Sequence, residues 1–293
     1  MAIPGTLLSG RYRVVRPFAR GAHSIVYLIF DLEGHPFVLK LLPPSLEARA
    51  NREYELGRNW DHPFVHPIRE RVSLAGQPGV ILEFIPGEVF NKAYVTDGTN
   101  TLLGIPSSRT LFLRTLLQLL DALTYIHEKG VVHRDIKPEN LIVTPDSGIR
   151  LIDFDLSGYI GEVFKERLAM GTVGYMAPEQ ATGGVSTAGT DLYSVGVLLY
   201  WGLTGQLPFY GTVPEVMRQH VFSQPVPPHQ VRGSEIDPLD DLCMRLLSKD
   251  PADRIGDSAT VKIHIEAIFV DENPPVSNES AAFPPSNQQE DRD

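Results

Sequence analysis

At 293 residues, 42% hydrophobic and 21% charged, the chain has ordinary globular composition, long enough for one large domain or two lobes. A formal net charge of −10, a pI near 5.4 and the lack of any Lys/Arg run exclude the basic footprint of a nucleic-acid binder. The single cysteine, Cys243, excludes an intrachain disulfide, and no apolar stretch approaches the ~18 residues of a membrane helix. With no signal-like pattern in "MAIPGTLLSGRYRVV", the expectation is a cytoplasmic protein that engages neither nucleic acid nor membrane.

The front of the chain reads as strands. "RYRVVRPFA" and "SIVYLIFD" are β-rich, and the turn signal "LEGH" precedes "PFVLKLL". A helix is expected from Glu47 to Trp60, weakened by Gly57. "HPFVHPIRERVSLAG" and "PGVILEFI" read as two further strands. Beyond Pro86 the period changes: Leu113, Leu116, Leu117 and Leu120 share one helical face, with Ser107 or Ser108 as cap and Gly130 as stop. Short strands and loops follow to Pro178, and then helices; "VGVLLYWGLTG" reads as a buried one, and Cys243 as a buried helix residue. The segment 271–293, rich in Pro, Ser, Asn, Gln and acid, is expected to be disordered. A strand-rich front (11–84) and a helix-rich back (85–270) suggest two lobes with a cleft between them, where ligands prefer to bind.

The most specific segment is "VVHRDIKPENLIV", which crowds Asp135, Lys137 and Asn140 into a short loop between apolar anchors. It resembles the catalytic loop of the eukaryotic-type serine/threonine protein kinase family, in a form like the bacterial members with a single kinase domain. "DFD" at Asp153 and "APE" at Ala177 continue the family order, and the resemblance covers roughly residues 11 to 268. It implies an α+β, bilobal fold: a small β-rich lobe with one main helix and a larger helical lobe. It implies transfer of the ATP γ-phosphate, with Mg²⁺ or Mn²⁺, to Ser or Thr of protein substrates, autophosphorylation among them. Asp135 would accept the proton of the attacking hydroxyl and Lys137 would steady the γ-phosphate. Thr172 would bond both, and Asn140 and Asp153 would hold the metal. Lys40 would contact the α- and β-phosphates, paired with Glu53 in preference to Glu55. Gly21 and Ser24 are what remains of the glycine-rich loop, whose first glycine is Ala19. Val26, Val38 and Ile142 would sandwich the base, Glu83, Phe84 and Ile85 would form the hinge, and Leu82 would gate the space behind it.

Other matches are structural. Glu179 should pair with Arg254, Asp191 should brace the catalytic loop, and Phe154 should pack near His133. Between Gly158 and Gly171 the chain has no Ser or Thr, so Glu162 or Glu166 is expected to neutralise Arg134 in place of a phosphate; the alternative is that both are solvated. Asp155 stands where the family has glycine, and is expected to tolerate a left-handed turn and to slow the movement of Phe154. Ala19, Val38, Gly57 and Asp155 keep a second reading open, that of a pseudokinase scaffold binding nucleotide or partner proteins. A third, phosphorylation of a small metabolite, is opposed by "APE".

Overall fold

The computed structural model describes residues 4–21, 23–90, 106–165 and 173–272. Strands β1 (Leu7–Leu8), β2 (Tyr12–Arg20), β3 (Ile25–Phe30), β4 (Pro36–Leu41), β5 (Ile68–Leu74) and β6 (Gln77–Glu83) form one sheet in the order β1-β2-β3-β4-β6-β5. Alternation sorts its faces. Phe37, Leu39 and Leu41 join Tyr27 and Ile29 in a buried cluster. Val38 and Lys40 take the opposite face, with Val26 beside Lys40 and with Leu28 and Leu82 beside Val38. Register shifts interrupt β2 between Val14 and Arg16 and between Pro17 and Ala19. Such bulges bend a strand, and here they bring Ala19, Gly21 and Ser24 onto the cleft.

Helix α1 (Glu47–Gly57) stops short of the expected Trp60. Gly57 is its last residue. A Cβ at Gly57 would lie 2.6 Å from Ile68 Cδ1, so the missing side chain is replaced by one from β5. Close approach of helix and sheet is what the glycine provides.

The second lobe opens with β7 (Glu88–Val89) and α2 (Pro106–Glu128). Because α2 begins at Pro106, which suits a first helical turn, Ser107 and Ser108 fall inside the helix instead of capping it. Gly130, at φ 75°, ends it as expected. There follow β8 (Val131–Val132), β9 (Leu141–Val143), β10 (Ile149–Leu151) and β11 (Gly158–Tyr159), paired as the sheets β10-β9-β7 and β11-β8. The remaining helices are α3 (Pro178–Thr182), α4 (Ala188–Thr204), α5 (Val213–Phe222), α6 (Pro228–Arg232), α7 (Pro238–Leu246) and α8 (Ser258–Glu272). Every residue of α4 from Gly189 to Leu203 is buried, so this all-round apolar helix is the lobe's axis. Cys243 is buried on α7, which packs along α4, while α8 packs along α2. Helix α8 runs through Glu272, two residues into the expected tail; 273–293 lie outside the described residues. Among the described residues no helix is long and apolar enough to cross a membrane.

Candidate active site

The catalytic-type loop leaves β8 at His133 and is held from below by Asp191 on α4. The Asp191 carboxylate accepts the backbone N–H groups of His133 (2.8 Å) and Arg134 (2.7 Å) and bonds His127 Nε2 at 2.8 Å. Burial alone would raise its pKa, but His127 and these N–H groups hold it below the usual carboxylate value. The bracing matters because Arg134 sits at φ 69°, a left-handed conformation that side chains resist. Gln180 adds a hydrogen bond to the Arg134 carbonyl (2.8 Å).

The strained turn delivers Asp135 to the cleft. Its Oδ2 accepts from Lys137 Nζ (2.7 Å) and Asn140 Nδ2 (2.9 Å), and Asn140 also donates to the Asp135 carbonyl (2.8 Å). Asp135 Oδ1 is buried without a hydrogen-bond partner among the described residues. Burial raises the Asp135 pKa, against the opposing charge of Lys137. The sequence brings these three residues together as expected; Thr172 lies outside the described residues.

Across the cleft, Lys40 Nζ donates to Glu53 Oε1 (2.9 Å) and Asp153 Oδ1 (2.6 Å), with Asp155 Oδ2 at 3.7 Å. Glu53 is thus the partner, while Glu55 is exposed and pairs with Arg58 at 3.0 Å. Three carboxylates converge on one ammonium. Burial works against the Lys40 charge, yet these carboxylates raise its pKa above the ordinary lysine value. For Glu53, burial outweighs the help of Lys40 and the pKa rises; for Asp153, Lys40 outweighs burial and the pKa falls.

The "DFD" turn differs from expectation. The left-handed residue is Asp153, at φ 68°, and Asp155 is not among the positive-φ residues. Asp155 serves through its carboxylate instead, which accepts from Arg49 Nε of α1. Phe154 packs between His133 (centroids 4.9 Å apart) and Trp60 (5.3 Å). Beyond the turn, Glu162 Oε2 accepts from Arg134 Nη2 (3.3 Å), from the Tyr159 N–H (3.1 Å) and from Arg52 of α1. Of the two glutamates proposed to face Arg134, Glu162 does so; Glu166 lies outside the described residues.

The cleft between the lobes holds a cavity of about 640 Å³. Gly21, Ser24, Val26, Val38, Leu82, Glu83, Phe84, Ile85 and Ile142 all face it, with Lys40, Glu53, Asp135, Lys137, Asn140 and Asp153. Sequence reasoning missed His66, Phe18 and Arg49, which line it too. His66 Nε2 sits 3.1 Å from the Glu83 carbonyl, which can only accept, so that nitrogen carries the proton. Burial lowers the His66 pKa to about 4, leaving a neutral donor against the hinge. Phe18 meets Phe84 edge-on, 5.9 Å between centroids, and so links the glycine-loop strand to the hinge. Further out, Glu179 and Arg254 form the expected buried pair at 2.7 and 2.8 Å.

A nucleotide-sized cleft, with a strand lysine facing paired carboxylates between a β lobe and a helical lobe, is the architecture of a two-lobed kinase fold. The chain belongs to the protein kinase domain family, whose model matches residues 12–265. It is 31% identical over 271 residues to the serine/threonine-protein kinase PknB of Mycobacterium leprae, covering 87% of this chain and 42% of that protein. To the serine/threonine-protein kinase pkn2 of Myxococcus xanthus it is 34% identical over 273 residues, covering 87% and 32%. The chain therefore spans less than half the length of these relatives. The crystal structure of the Mycobacterium tuberculosis PknI kinase domain superimposes with a TM-score of 0.70 at 23% identity, covering 92% of this chain and 100% of that one, which speaks for the fold.

Proposed function

We propose that the chain is a serine/threonine protein kinase that transfers the γ-phosphate of ATP to hydroxyls of protein substrates, its own included. The observation that carries the reading is the meeting, in one cavity, of Lys40–Glu53–Asp153 from above with Asp135–Lys137–Asn140 from below. Transferred phosphoryl groups carry spread negative charge, so the work of the site is positioning and neutralisation. Lys40 grips the inner phosphates and is itself aimed by Glu53. Asp135 keeps one carboxylate oxygen unpartnered among the described residues, which suits acceptance of the proton from an incoming hydroxyl. Lys137 beside it meets the outer phosphate. Asn140 spends its amide nitrogen on Asp135, which leaves its oxygen as a hard donor, and the Asp153 carboxylate lines the same cavity. These two oxygens fit Mg²⁺ or Mn²⁺. A divalent ion there supplies charge compensation to the phosphates.

Serine and threonine as acceptors follow from the names of the relatives and from Lys137 in "HRDIK". The single buried cysteine is consistent with a cytoplasmic setting. The test is transfer of label from γ-labelled ATP with Mg²⁺ or Mn²⁺, wild type beside Asp135→Asn. Label on wild type alone supports the kinase; equal label on both proteins, or none on either, sends the reading to the pseudokinase alternative.

A further inference from the structure

We infer that Arg49 and Asp155 form a positioning pair that keeps Phe154 in its seat and Asp153 turned toward the cleft. The inference rests on the kinase reading for the importance of Asp153, while the contact itself is independent of it. Arg49 lies four residues before Glu53, so the two share one face of α1. From that face Glu53 bonds Lys40, and Arg49 Nε bonds the Asp155 carboxylate and, at 3.3 Å, the Asp155 carbonyl. Lys40 in turn bonds Asp153. One turn of helix therefore fastens both residues that flank Phe154.

The pair is built for this place. The Arg49 and Asp155 side chains are only 14% and 13% exposed, so their contact is largely shielded from water. Asp155 adds a third carboxylate around Lys40, and Arg49 supplies the balancing cation. Glycine at 155 would give the loop freedom but no carboxylate. Since the left-handed residue is Asp153, the backbone at 155 makes no demand for glycine. The carboxylate is the feature in use. Phe154 is thus held by aromatic contacts on its ring and by charge on both neighbours.

Trp60 provides a direct reporter, because its buried indole lies 5.3 Å from the Phe154 ring. The chain has two tryptophans, so Trp201→Phe isolates its signal. In that background Arg49→Met and Asp155→Gly should each raise acrylamide quenching of Trp60 about twofold, and the double variant should go no further than the larger single effect. Asp155→Asn keeps an acceptor for Arg49 and should recover most of the protection. Amide exchange at Ser157, whose N–H bonds the Phe154 carbonyl at 3.1 Å, supplies the same readout in the native tryptophan background. Label transfer should fall roughly threefold to tenfold in both single variants, with KM for ATP less affected than kcat. Quenching and exchange unchanged from wild type in both singles, or effects that simply add, would overturn the positioning pair. A wild type that transfers no label would sink the kinase reading alone and leave the quenching comparison standing.

Discussion

Removing the Glu162 charge should disconnect α1 from the catalytic loop. The guanidinium of Arg134 is 5% exposed, and its Nε has no partner among the described residues; Glu162, 36% exposed, supplies its carboxylate acceptor. A hydrogen bond between charged groups contributes about 1.5–3 kcal/mol where one partner is buried. The second bond, to the half-exposed Arg52, adds ~0.5 kcal/mol. Since water reaches Glu162, the sum is discounted to about 2 kcal/mol, or roughly thirtyfold in the population of the aligned state. Glu162→Gln should therefore lower kcat/KM about thirtyfold. The assay is label transfer to a generic basic protein, using phosphatase-treated enzyme whose intact mass shows no phosphate. Added salt should narrow the gap between wild type and variant, because it weakens the Arg52 pair. Burial pushes the Glu162 pKa up, but Arg52, the Tyr159 N–H and Arg134 hold it below the ordinary 4.5. A depressed carboxylate contributes fully at neutral pH and loses its contribution only as pH falls below about 4.5 toward the folded value. A wild type inactivated by phosphatase, or a Glu162→Gln protein as active as wild type, would refute the reasoning.

Gly158→Ala should act on the same contact by another route, since its Cβ would lie 2.5 Å from both Glu162 Oε2 and Arg134 Cζ. Loss of ~tenfold in kcat with ATP binding retained by calorimetry is the expected result, and unchanged kcat counts against it. Glu179→Gln leaves the fully buried Arg254 charge without its counter-ion; about 3–5 kcal/mol of stability should go, seen as a Tm lower by about 10 °C in scanning calorimetry. Burial lowers the pKa values of His66 to about 4 and His220 to about 3, both under the usual 6.5. Unfolding then takes up protons as pH drops below about 6.5, so stability in urea should fall from there toward pH 4, with a slope of ~1.4 kcal/mol per pH unit for each histidine. His66→Gln and His220→Gln should flatten that slope, and an unaltered slope in both would show that carboxylates set it.

The lobes were legible from strand and helix patterning, and the charged groups of the cleft from the resemblance of the loop motifs to the kinase family. Asp135, Lys137 and Asn140 fall within one loop, and strand alternation alone puts Val38 and Lys40 on one face. The fasteners were not legible. Arg49 meets Asp155 across 106 residues and Arg52 meets Glu162 across 110, and a helix arginine gives no sign of a partner so far away. His66 looked like part of a strand because nothing local marks a histidine that bonds a carbonyl seventeen residues on. That Ile68 takes up the space beside Gly57 was not legible, because it belongs to another element. The left-handed turn was expected at Asp155 by analogy with glycine, but it falls at Asp153, whose carboxylate accepts from Lys40 of the other lobe.

The reach of Asp191 also has a meaning for synthesis. It follows His133 by 58 residues, so a ribosome has already made Lys40, Glu53, Asp135, Asn140 and Asp153 before it makes the brace beneath them. Until α4 emerges and is buried, the left-handed turn at Arg134 lacks the two carboxylate hydrogen bonds beneath it, and the loop bearing Asp135 lacks its main brace. A product released early would carry every charged group of the cleft without the carboxylate that braces their loop.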